Sequence, residues 1–154
     1  MQSFDLCFLT AANEVQAKGY KGRLAEFKAR QPGLKTEFMV IADPRGQRIG
    51  SGGSTLYVLQ TIYARAQKNF RKAFAGRRIL IVHSGGDSRR LPAYSAYGKI
   101  FTPLPSPQHH TVFDIILNTY ASLPGHPEGH VIITSGDVLL NFSRERVYFA
   151  DKGI

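Results

Sequence analysis

Three short segments combine glycines with hydroxyl or charged residues, which is the composition of a phosphate-binding site. They are GSGGSTL at 50–56, HSGGDSRRL at 83–91 and SGD at 135–137. Glycines let backbone N–H groups approach a phosphate closely, and the N-terminus of a helix adds free N–H groups with partial positive charge. Arginine and lysine supply cations for phosphate oxygens. Together the three segments predict binding of a nucleoside triphosphate.

The first segment precedes a predicted helix. It offers Gly52, Gly53 and Ser54 as nucleotide-binding residues. The alternative is a structural turn, in which the glycines adopt positive φ and Ser54 or Thr55 caps the helix. The segment is not a Walker A loop, because no Gly-Lys-Ser/Thr follows at the required spacing.

The second segment places arginines directly after a double glycine at the end of an apolar strand. Arg89 and Arg90 bring planar, multidonor cations, and Lys99 adds a point charge for a different phosphate. The alternative is that all three are solvated surface residues. His83 either touches the site or is an ordinary strand-end histidine. Because of the order of residues we favour ligand binding, with these candidates in the loop: Gly85, Gly86, Asp87, Ser88 and Arg89.

The third segment places Asp137 at the end of another apolar strand. A carboxylate there can hold Mg²⁺, which binds one or two carboxylates together with substrate phosphates. A capping or turn aspartate is the alternative. The neighbouring glycine segments favour the metal, so we predict a magnesium site at Asp137.

These segments must be positioned by strands that alternate with helices. The apolar runs DLCFLTAAN, TEFMVIAD, RRILIVHS and GHVIITSGD read as buried strands. Asn13 caps a first helix, helical spacing extends from Ser54 to about Phe74, and Thr111 with Asp114 forms a capping box before a third helix. The pattern predicts an α/β fold with right-handed crossovers and a mostly parallel sheet covered on both faces. Ligands of such sheets bind at the carboxyl ends of the strands, where all three segments should meet.

The composition limits the alternatives. The chain has 154 residues, enough for one domain, and its formal charge of +9 favours a polyanionic partner. Cys7 alone cannot form an internal disulfide, and we expect it to be a small buried residue. No run is long enough to span a membrane and no secretory signal is recognisable, so we expect a cytoplasmic protein. The basic run 65–78 could bind nucleic acid, but its phenylalanines read as a buried helical stripe, which disfavours that partner.

The ordered segments IGSGGSTL, HSGGDSRRLPAYSAYGKIFTPLP and SGDVLL resemble the N-terminal part of fucose-1-phosphate guanylyltransferases, including the bifunctional L-fucokinase/GDP-fucose pyrophosphorylases. The similarity in order and spacing extends from LTAANEVQA to SGDVLLNF. It implies a Rossmann-like sugar nucleotidyltransferase fold that joins GTP and L-fucose 1-phosphate into GDP-fucose and pyrophosphate. It also implies that Arg90 and Lys99 contact phosphates as catalytic residues, that the glycines bind the nucleotide, and that Asp137 binds Mg²⁺.

The chain is much shorter than the members of that family. Residues 1–154 are therefore interpreted as the N-terminal nucleotide-binding part of a C-terminally incomplete nucleotidyltransferase domain. We expect weak nucleotide binding without complete catalysis, and self-association through sheet surface that truncation exposes. The alternative function is a small basic nucleic-acid-binding module with structural glycine loops.

Overall fold

A computed structural model describes residues 3–84, 98–107 and 110–149 as an α/β unit. Four parallel strands form one sheet in the order β2-β1-β3-β4. The strands are β1 (Leu6–Ala11), β2 (Glu37–Ala42), β3 (Arg78–His83) and β4 (His130–Ser135). The helices are α1 (Glu14–Arg30), α2 (Gly50–Arg65), α3 (Phe70–Phe74) and α4 (Val112–Ala121). The predicted Rossmann-like α/β class is confirmed.

Alternating side chains of the strands form two apolar layers. On one face Leu9 and Leu80 pack with α1 and α4, and the rings of Phe27 and Phe113 meet there with centroids 5.0 Å apart. On the other face Phe8 and Ile81 pack with α2 and α3. Because β1 and β3 are buried on both faces, they read as continuous apolar runs in the sequence. Cys7 is fully buried within this core, as expected.

The third crossover has the opposite hand to the first two. The connections β1–α1–β2 and β2–α2–β3 cross the sheet in opposite directions on opposite faces, which gives them one hand. The connection from β3 to β4 runs in the same direction as the second, yet α4 packs on the face of α1. The expectation that every crossover is right-handed is therefore wrong. The face of β4 opposite α4 is left partly bare, with Ile133 52% exposed.

The helix predicted from Ser54 to about Phe74 is in fact two helices. It begins earlier, at Gly50, and it ends where Gln67 and Lys68 adopt positive φ values of 56° and 58°. This bend reorients α3, so that Phe70 is 70% exposed instead of belonging to a buried stripe. The assignment of Phe70 to that stripe is therefore wrong.

The predicted helix caps are confirmed. The Asn13 side chain accepts a hydrogen bond from the backbone N–H of Gln16 at 2.9 Å. At the start of α4 the Thr111 backbone N–H donates to the Asp114 carboxylate at 2.7 Å, which is the reciprocal half of a capping box. None of the helices in the described ranges combines the length and hydrophobicity that a bilayer crossing requires.

Candidate functional site

A cavity of about 320 Å³ opens at the carboxyl ends of the four strands. We call it the rim cavity. It is lined by the start of α2, the ends of β1 and β3, the turn before Ile100 and the turn after β4. Its polar lining includes Ser51, Ser54, His83, Ser84, Lys99 and Asp137. The three glycine-bearing segments predicted to converge thus each contribute described residues to one cavity.

The N-terminus of α2 is tied to the end of β2 by a side-chain hydrogen bond. The Ser54 hydroxyl donates to the Asp43 carboxylate at 2.6 Å. Ser54 is therefore not the helix cap, because α2 already begins at Gly50, whose φ of +71° permits the sharp entry into the helix. The bond holds the first turn of α2 against the cavity.

Gly52 and Gly53 lie in that first turn, outside the lining of the cavity. A Cβ atom on Gly53 would lie 2.8 Å from the Cβ of Ile49, so the glycine permits close packing of the helix entry. Open space surrounds Gly52. The expectation of a glycine loop before the helix is wrong, because both residues are already helical.

His83 lines the cavity, and its ring connects three elements, β3, α2 and β1. Its Nε2 lies 2.8 Å from the Thr55 hydroxyl on α2, and its Nδ1 lies 3.2 Å from the Thr10 hydroxyl on β1. Burial lowers the pKa of His83 below its usual value near 6.5, and the Asp43 carboxylate raises it in part. A neutral imidazole between two hydroxyls is thereby favoured, which leaves the positive charge of the lining to Arg48 and Lys99.

Lys99 begins a short 3₁₀ helix, Lys99–Phe101, and lines the cavity. The lysine is half-buried, and Ile100 beside it is 1% exposed, which anchors the turn in the core. Lys99 thus reaches the cavity from a packed element. The predicted contact between Lys99 and a phosphate is compatible with this location and stays a prediction.

Asp137 follows β4 and is exposed at the mouth of the cavity. The Ser135 hydroxyl donates to its carboxylate. The intervening Gly136 is buried, and its N–H donates to the His83 carbonyl at 2.8 Å. A Cβ on Gly136 would lie 3.2 Å from the Cβ of Ser84, so this close approach of two strand ends favours glycine.

The described lining of the rim cavity includes two carboxylates that are candidate metal ligands. Asp43 and Asp137 both line the cavity. They follow strands separated by three spacings of about 4.8 Å, or roughly 14 Å, too far apart for one ion. Within the described ranges no group of three histidine, cysteine or acidic side chains could hold a metal. An ion with one carboxylate, waters and phosphate oxygens, as Mg²⁺ prefers, suits Asp137.

Several predicted site residues lie outside the described part of the chain. The structure places Ser54, Lys99 and Asp137 around one cavity. The predicted residues that lie outside the described ranges are Gly85, Gly86, Asp87, Ser88, Arg89 and Arg90.

The sequence reading missed Thr10, Asp43 and Arg48, which also line the cavity. Thr10 and Asp43 stand at the ends of β1 and β2, so the rule that ligands bind at carboxyl ends of parallel strands would have found both. The prediction was based on the three glycine-bearing segments, and neither Thr10 nor Asp43 belongs to one of them.

Comparison with known proteins finds relatives that cover most of the chain. The family model of the fucose pyrophosphorylase domain matches residues 71–154, more than half of the chain. The fucose-1-phosphate guanylyltransferases of Mus musculus and Homo sapiens are each 36% identical over 136 residues, covering 87% of this chain. The bifunctional fucokinase/GDP-fucose pyrophosphorylase of Arabidopsis thaliana is 31% identical over 89% of this chain.

The chain spans 22% of the length of the two mammalian relatives and 16% of the plant relative. No solved structure gave a significant match. The region matched by the family model includes β3, Lys99 and Asp137, whereas the first motif, at the start of α2, precedes it. On the strength of the domain match, the chain belongs to the fucose pyrophosphorylase domain family.

Proposed function

We propose that this chain is the nucleotide-binding portion of a guanylyltransferase that joins GTP to a sugar 1-phosphate. The observation that carries the proposal is the convergence of the α2 N-terminus, Lys99 and Asp137 on one cavity at the carboxyl end of the sheet. A helix N-terminus and a lysine attract phosphate oxygens, and a carboxylate can hold a metal ion beside them. The relatives named fucose-1-phosphate guanylyltransferase support L-fucose 1-phosphate as the sugar and GTP as the nucleotide.

The reaction needs alignment and charge neutralisation more than proton transfer. An oxygen of the sugar 1-phosphate attacks the α-phosphorus of GTP, a new P–O bond forms, and the bond to pyrophosphate breaks as pyrophosphate leaves with the electron pair. The attacking oxygen is already anionic, so no general base is required. Lys99 neutralises charge that develops on the phosphates, and the N–H groups at the start of α2 orient them. Arg90 is proposed to assist as a second phosphate-binding cation.

Magnesium is the proposed cofactor, and Asp137 is the residue of this chain proposed to hold it. Bound there, the ion would supply charge neutralisation at the triphosphate. The Ser135 hydroxyl orients the Asp137 carboxylate by hydrogen bonding, and the Gly136 N–H fixes the turn to β3. These two contacts of the chain itself give the carboxylate a defined direction at the cavity mouth.

A second candidate function is nucleic-acid binding by the surface around α3. The sequence has no acidic residue between 44 and 86, and the region carries Arg71 and Lys72 beside Phe70. Since Phe70 is 70% exposed, its ring is available to stack on a base. Binding of single-stranded oligonucleotides that weakens steeply with salt, and that Phe70→Ala reduces, is the result expected of this function.

Thermal denaturation with Mg²⁺–GTP and with Mg²⁺–ATP tests the leading proposal. We expect GTP to raise the melting temperature more than ATP, because guanine is the base that the relatives imply. Equal shifts by both nucleotides would refute the guanine preference, and no shift by either would refute nucleotide binding.

In a coupled pyrophosphate assay with fucose 1-phosphate, we expect the 154-residue chain to show no turnover. Measurable GDP-fucose formation would contradict the proposal that these residues bind nucleotide without completing the reaction.

A further inference from the structure

Tyr20 on α1 contacts both residues that flank segment 85–97. Its side chain is fully buried, and its hydroxyl donates to the backbone carbonyl of Ser84 at 2.6 Å. The same ring lies against Gly98. Ser84 and Gly98 are separated by 13 residues in the sequence, 85–97, yet one aromatic side chain touches both.

The contact with Gly98 leaves no room for a side chain. A Cβ atom at this position would lie 2.5 Å from the Tyr20 hydroxyl oxygen and 2.7 Å from its Cζ, well inside van der Waals contact. Gly98 also has φ +75°, a conformation that glycine adopts without strain. The ring of Tyr20 is held in turn by Phe101, whose ring meets it edge to face with centroids 5.6 Å apart.

Both contacts lead directly to the rim cavity. Ser84 and Lys99 line it, and Lys99 follows Gly98 in the chain. The Ser84 hydroxyl also donates to the Thr10 carbonyl at 2.9 Å, which fixes Ser84 to β1. We infer that Tyr20 is a positioning residue that fixes Ser84 and Gly98, the two residues flanking segment 85–97, and thereby the place of Lys99 at the rim cavity. The effect on ligand affinity rests on the proposed function.

The phenol is suited to this role because it stays neutral and has few rotatable bonds. Burial raises the pKa of Tyr20 to about 12, although its hydrogen bond to Ser84 lowers it in part. The hydroxyl therefore donates throughout the physiological pH range. A tyrosine has only two side-chain torsions, and here both the ring and the hydroxyl are in contact, so one side chain defines two backbone positions.

Tyr120 provides a matched control, since it is another buried tyrosine whose hydroxyl is hydrogen-bonded. Its partner is the Thr134 hydroxyl on β4, and not one of the two residues that flank segment 85–97. Tyr20→Phe and Tyr120→Phe each remove one buried hydroxyl and leave the ring. We expect both variants to lose similar thermal stability. Only Tyr20→Phe should weaken Mg²⁺–GTP binding, by about fivefold for the loss of one hydrogen bond of about 1 kcal/mol.

Amide NMR spectra supply a readout that does not depend on nucleotide. Tyr20→Phe should move the amide resonances of both Gly98 and Lys99, which follow segment 85–97, and Tyr120→Phe should leave them in place. If wild-type protein fails to bind Mg²⁺–GTP, the proposed function fails while these spectra still test the positioning role. Unchanged resonances in Tyr20→Phe, or equal affinity losses in both variants, would overturn the inference.

A double-mutant cycle tests the ring contact. Gly98→Ala should displace Lys99 and lower the Mg²⁺–GTP affinity by more than tenfold in wild-type protein, since the new Cβ meets the Tyr20 ring. In the Tyr20→Leu background the same change should cost several-fold less affinity, because the outer ring atoms are gone. An equal cost in both backgrounds would show that the ring does not fix Gly98.

Discussion

Replacing Lys99 by alanine should remove half or more of the ligand-induced stabilisation of this chain. Lys99 is the lysine of the rim cavity, and it projects from a turn that is anchored in the core by Ile100. A charge-assisted hydrogen bond to a phosphate contributes about 1.5–3 kcal/mol, which corresponds to a loss of about 10- to 100-fold in affinity for Mg²⁺–GTP.

The expected thermal shift follows from this loss. At a free ligand concentration of about 100 times the wild-type Kd, binding stabilises the folded state by about 2.7 kcal/mol. The same concentration is only about 1 to 10 times the Kd of Lys99→Ala, which leaves about 0.4–1.4 kcal/mol. For a chain of this length 1 kcal/mol corresponds to about 2–4 °C. The shift should therefore fall from about 5–11 °C in wild-type protein to about 1–6 °C in the variant.

The control for this measurement is Lys28→Ala, which removes the same charge from an exposed position on α1. Lys28 lies fourteen helical residues beyond Glu14, so it is about 21 Å farther from the rim end of the helix. We expect its ligand-induced shift to equal that of the wild type. Equal shifts in wild type and Lys99→Ala, or an equal loss in Lys28→Ala, would refute the assignment of Lys99 to phosphate binding.

Three further outcomes are expected. Asp137→Asn should make GTP binding insensitive to Mg²⁺ in isothermal titration, and an unchanged magnesium dependence would contradict a metal ligand at this position. The pKa of His83 is lowered in the folded state, so the unfolded state binds more protons below about pH 6.5. The contribution of neutral His83 to the free energy of unfolding should therefore be fully present above that pH and decline below it. His83→Gln should flatten the decline in melting temperature from about pH 7 to pH 5, although His130, whose pKa is also lowered, retains part of it. Ile133→Asp should reduce concentration-dependent association in sedimentation velocity if the bare face of β4 mediates it, and identical sedimentation of both proteins would exclude that surface.

The strands and their parallel pairing could be predicted because their pattern is local. The apolar runs of β1 and β3 are buried on both faces, so their composition alone distinguishes them. The caps at Asn13 and Thr111 use short-range hydrogen bonds that sequence spacing reports directly. The meeting of three segments at one rim followed from strand direction without any knowledge of side-chain contacts.

Features that depend on tertiary packing were not predictable in the same way. The break after α2 arises from two consecutive non-glycine residues with positive φ, Gln67 and Lys68, which no turn signature marks. The face on which α4 packs is chosen by contacts such as that of Phe27 with Phe113, between residues far apart in the chain. Likewise the double glycine at 52–53 looks the same in a loop and in a helix entry, and only the closeness of Ile49 identifies its packing role.

The position of α4 has a consequence for how firmly the metal-binding candidate is held. β4 pairs with a single neighbour in the described sheet and is covered by a helix on one face only, whereas β1 has two neighbours and two covered faces. Local unfolding begins where contacts are fewest, so β4 and the turn carrying Asp137 should open before the centre of the sheet. A ligand that contacts both Lys99 and Asp137 would stabilise β4 against local unfolding. The free energy needed to order β4 would be taken from the binding free energy of that ligand.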